Sequence, residues 1–139
     1  MRVIKLVLGI LIIQFMTSCE PKSDPDASLT GNWKITSALG NDGRHWTGSF
    51  NLQQENDAYK GVFLWDAVDG QSTGTDTVAG KYNINTKVLT LTSIAITGNI
   101  EHVVYTVDVS GNGTRMKGIW TGSSDGSIEN PGLWSAEKK

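Results

Sequence analysis

The side chains best suited to chemistry in this chain of 139 residues are aromatic rather than catalytic. Three of its five tryptophans, Trp46, Trp65 and Trp120, stand where apolar runs meet loops. Indole faces so placed can stack an aromatic, heterocyclic or sugar ligand; they can equally be the upper layer of a core. Arg44 and His45 precede the first of them in a glycine-containing loop, where they could orient an anionic group of such a ligand or simply be solvated. Asp42, Asp66, Asp69, Asp76, Glu101, Asp125 and Glu129 fall in loops too, without the alternating oxygen ligands and terminal Glu of an EF-hand. Two histidines, His45 and His102, and one cysteine make no zinc set. No G-x-S-x-G run leads from a strand into a helix as a nucleophile elbow does, and an HExxH pair and a phosphate-cradling glycine loop are missing from the sequence. The expectation is a binding protein rather than an enzyme, with no catalytic residues, metal or cofactor.

The elements that must position these rings are announced by a repeat. A glycine is followed two residues later by an aromatic at Gly31-Trp33, Gly48-Phe50, Gly61-Phe63, Gly80-Tyr82, Gly118-Trp120 and Gly132-Trp134. This is several times the chance expectation for 16 glycines and 11 aromatics. Residues i and i+2 of a strand share a face, so each pair sets bare backbone beside a large ring. A tightly curved sheet with rings inside needs that arrangement. Runs rich in Val, Ile, Thr and aromatics alternate with Gly/Asn/Asp/Ser clusters, and no helical period is sustained. The predicted strands are 31–37, 46–54, 58–65, 77–84, 87–94, 102–109, 114–121 and 132–137. They predict an all-β fold, an eight-stranded antiparallel up-and-down barrel. Its inner face, extended in phase to Val78, Tyr82 and Ile84, carries no charge. Long connections at 38–45, 66–76 and 122–131 collect at one mouth, and short turns at 55–57, 85–86 and 110–113 close the other end.

The N-terminus reads as a processing segment. Arg2 and Lys5 precede an apolar stretch from Leu6 to Met16, too short to span a bilayer stably. Met16-Thr17-Ser18-Cys19 resembles the lipobox of bacterial lipoproteins, apart from Met where Leu is usual. The resemblance implies a signal peptide over 1–18, lipid on Cys19 and membrane attachment in the bacterial cell envelope, as an outer-membrane lipoprotein on either the periplasmic or the cell-surface side. Glu20 to Ser28 is charged and Pro-containing, a tether completing the segment 19–28. The domain then runs over 29–139. Without further cysteines it is held by burial and hydrogen bonds alone. A weak net negative charge, with no run of bases, argues against nucleic acid as a partner.

Leu29-Thr30-Gly31-Asn32-Trp33 resembles the G-x-W start of the calycin group: lipocalins, fatty-acid-binding proteins and avidins. The resemblance implies a calycin-like barrel. The avidin ligand residues find no counterparts here, so biotin is not implied. Two functional readings follow: a lipid-anchored barrel binding a small, partly apolar ligand at its mouth, or a module using the same loops to bind or inhibit a secreted protein.

Overall fold

A computed structural model describes residues 28–122 and 131–139. The leader, Cys19 and nearly all of the tether lie outside them, as do Asp125 and Glu129. The strands are β1 (Gly31–Leu39), β2 (Trp46–Glu55), β3 (Ala58–Ala67), β4 (Thr73–Asn83), β5 (Val88–Gly98), β6 (Val103–Val109), β7 (Arg115–Gly122) and β8 (Gly132–Lys138). Each pairs antiparallel with the next, and β8 pairs with β1, so the sheet closes into an eight-stranded up-and-down barrel. Closure leaves no strand edge to recruit another chain.

The glycine-aromatic repeat works across strands as well as along them. Register sets Gly48 opposite Trp65, Gly118 opposite Trp134 and Gly132 opposite Trp120. The Trp65 ring lies against Gly48 and the Trp120 ring against Gly132. A Cβ at Gly132 would overlap the Trp120 indole, and one at Gly118 would overlap the Thr106 carbonyl.

The space so released is filled by a column of parallel rings. Trp33 stacks on Phe50 (5.7 Å between centroids), Phe50 on Phe63 (4.2 Å) and Phe63 on Tyr105 (4.7 Å). Trp134 meets Phe50, Phe63 and Tyr105 edge-on at 82–84°. These offset and edge-to-face contacts are the arrangements that ring quadrupoles favour. Below the column Leu29 is fully buried, and its carbonyl accepts the Trp33 indole N–H at 3.0 Å, which plugs that end.

Three expectations are corrected. Ile84 does not point inward: it sits in the β4–β5 turn and is 48% exposed. The segment 66–76 is mostly strand rather than loop, because β3 continues to Ala67 and β4 begins at Thr73. The inner face does carry an ionisable acid, since Asp76 shares the phase of Val78 and is fully buried. Opposite them Ile94 is an extra residue between Ser93, which pairs with Val78, and Ala95, which pairs with Thr77. This bulge leaves Ser93 buried and Ile94 exposed.

Candidate functional site

The connections 40–45, 68–72 and 99–102 lie at one end of the barrel, the mouth, where β7 also ends and β8 begins. The turns 56–57, 84–87 and 110–114 lie at the other, together with Ser28 and Lys139. Trp46 opens β2 and pairs with Ala67, Trp65 sits two residues before the end of β3, and Trp120 pairs with Tyr105 and Gly132. The register thus lifts all three tryptophans to the mouth, where they converge. With Tyr105, Ile100, Val103 and Glu101 they line a cavity of about 40 Å³. Trp46 meets Trp65 edge-on at 6.4 Å and 83°, and Trp120 is tilted 58° to Trp65 at 5.9 Å.

Volume decides what such a site can hold. A water needs roughly 10–15 Å³ of this kind of space, so the cavity takes about three. Enclosing a drug-sized ligand takes about 300–1,000 Å³. The barrel interior is packed, and the mouth is a shallow cup.

A polar chain runs through the wall of the cup. Trp65 Nε1 donates to Tyr105 Oη at 3.0 Å, and Tyr105 Oη donates to Asp76 Oδ2 at 2.8 Å. Ser93 Oγ donates to the same carboxylate oxygen at 2.6 Å and accepts the Val103 backbone N–H at 2.9 Å. Asp76 Oδ1 is buried with no hydrogen-bond partner, as are the indole nitrogens of Trp46 and Trp134. Burial raises the Asp76 pKa above the usual carboxylate range, opposed by the hydroxyls of Ser93 and Tyr105 and by the nearby His102. Burial and the adjacent Asp76 push the Tyr105 phenol well above its ordinary value.

Arg44 is placed differently from His45. The Arg44 guanidinium lies 5.8 Å from the centre of the Trp46 ring, a cation–π contact. Its Nε is 3.4 Å from Asp69 and 4.0 Å from Asp42, and Nη1 donates to Ser72 Oγ at 3.4 Å. Arg44 therefore ties the 40–45 loop to the 68–72 loop and backs Trp46. His45 is exposed and absent from the cavity wall; only its backbone is engaged, bridging Leu39 and accepting the Val68 N–H at 2.9 Å. Sequence reasoning placed Asp76 in a loop. Its spacing from Val78 was the signal that could have placed it inside.

Charge is sorted along the barrel axis. Asp42, Asp66, Asp69, Asp76 and Glu101 gather toward the mouth, where Arg44 is the one Lys or Arg among the described residues. Lys60, Lys81, Lys87, Arg115, Lys117, Lys138 and Lys139 lie toward the closed end, where they outnumber Glu55, Asp57, Asp108 and Glu137. The bases are dispersed in sequence and gathered only by the strand register. Among the described residues no group of three or more His, Cys, Asp or Glu side chains converges as a metal site.

No protein-family model matches the chain, and no curated protein does. Solved structures do. A redesigned β-barrel, mFAP1, bound to DFHBI superposes with a TM-score of 0.59 at 16% identity, covering 80% of this chain and 94% of that one. A second redesigned barrel, mFAP0, bound to DFHBI gives 0.58 at 17% identity over 80% and 98%. EF1p2_mFAP2b bound to DFHBI gives 0.58 at 16% over 80% and 94%. At such identities the likeness is one of fold, and the fold is an all-β, closed, eight-stranded antiparallel barrel of the lipocalin-like kind.

Proposed function

We propose that this is a lipid-anchored envelope protein that binds a small, partly apolar ligand at the barrel mouth, without catalysis. The carrying observation is the convergence of Trp46, Trp65, Trp120 and Tyr105 on one cavity. Three matched barrels are described as bound to a small molecule, DFHBI, which accords with this use of the fold. The 40 Å³ of space means that a ligand inserts one group and lies across the rim with the rest. Titrating candidate ligands while following tryptophan emission tests the reading. A saturable response that is lost in Trp65→Ala and Trp120→Ala supports it, and a response that survives both variants counts against it. For the anchor, Cys19→Ala should shift the protein from the detergent phase to the aqueous phase in a partition assay; unchanged partition would remove the lipid.

A second reading, a module that binds or inhibits a secreted protein, has its own observation. Leu39 and Ile119 each pair with Leu133 across adjacent strands, and all three are exposed. Such a stripe suits a protein partner. Binding of a candidate secreted enzyme that is abolished by Leu133→Lys and unchanged by Trp120→Ala would favour it.

A further inference from the structure

We infer that the cup takes the positively charged head of a small organic amine, an inference that rests on the ligand-binding reading above. Four ring systems, Trp46, Trp65, Trp120 and Tyr105, wall one small space, with two of the indoles nearly perpendicular. The faces of such rings attract a cation and give an uncharged group of the same shape no comparable gain. Glu101 lies on the same wall and supplies a formal negative charge. Behind the wall, Tyr105 donates its hydroxyl hydrogen to Asp76, which shifts electron density toward the phenol ring and strengthens its face as a cation acceptor.

The size is consistent with a head rather than a whole ligand, and Ile100 and Val103 offer apolar surface to the carbon next to the nitrogen. The only Lys or Arg side chain near the cup among the described residues is Arg44, and its guanidinium faces Asp69 and Asp42 while resting on Trp46. The mouth thus already seats one cation on an indole. Its remaining field is acidic.

The probes are methylammonium, choline, the uncharged carbon isostere of choline and the corresponding carboxylate, titrated into the full-length protein with tryptophan emission and calorimetry as readouts. A cation should bind roughly tenfold more tightly than the isostere, the carboxylate should not bind, and the cation's affinity should drop severalfold in Glu101→Gln and on raising salt. Glu101 is exposed, so that variant leaves the fold intact and keeps the test meaningful if Trp65→Ala fails to fold. Equal binding of cation and isostere, or an unchanged affinity in Glu101→Gln, overturns the inference. An uncharged flat ligand that binds through Trp65 and Trp120 while both cations stay silent overturns it too, yet leaves the ligand-binding reading standing. Silence from every probe and every flat ligand removes both.

Discussion

Asp76 is a carboxyl group with two hydroxyl donors on one oxygen and none on the other, sealed from water. Its folded pKa lies above the unfolded value of 3.8, so folding favours its neutral form. As pH rises past 3.8 the unfolded chain gives up this proton first, and stability falls until the folded pKa is passed. Asp76→Asn should remove that slope: in urea denaturation the variant's stability relative to the parent should rise as pH goes from 3.8 to 7. A constant gap across that range would contradict the shift. Tyr105→Phe should cost about 1–3 kcal/mol in the same assay, since it leaves the Trp65 indole N–H and the carboxylate each short of a partner. At this scale the sequence was only partly readable. Trp46, Trp65 and Trp120 could be aimed from strand phase, whereas Thr73-Gly74-Thr75-Asp76 carries the composition of a loop and becomes strand by pairing with β3 and β5. Whether His45 reaches the cup depends on a local bridge to Leu39, which no periodicity encodes.

Strands of this barrel are matched by the depth of their side chains, ring over glycine. Gly132→Ala should therefore destabilise, by roughly 1–3 kcal/mol for forced overpacking, and should blunt any response of the cup because Trp120 must move. Gly111→Ala is the control: its added methyl meets nothing within 4 Å, and its unfolding midpoint should stay close to that of the parent. Leu29 precedes β1 yet belongs to the core, and Leu29→Ala should cost about 2–5 kcal/mol by chemical denaturation. The element order was legible because period-two alternation runs along the strands and breaks only locally, as at the bulges of β1 and β5. Element ends were less so, as at β4 and β5, where threonines and glycines continue the ladder beyond the apolar run.

Among the described residues the barrel is polarised along its axis, net acidic at the mouth and net basic at the closed end. Closure could be read from the glycine-aromatic repeat, but the depth of the cup could not, because it is what remains after the ring column has filled the interior. The axial sorting was hidden for a related reason, since it exists only once the strands are in register. The chain enters at Ser28 and ends at Lys139, both on the basic side, opposite Trp46, Trp65 and Trp120. Lipid on Cys19 would moor the barrel by its keel, on a line of nine residues, Glu20 to Ser28, that pays out to about 30 Å. Lysines would then ride next to phosphate headgroups, and the cup would look outward into open water. A quencher fixed to lipid headgroups should accordingly dim Trp33 more than Trp120, and the reverse ranking would mean the molecule floats upside down.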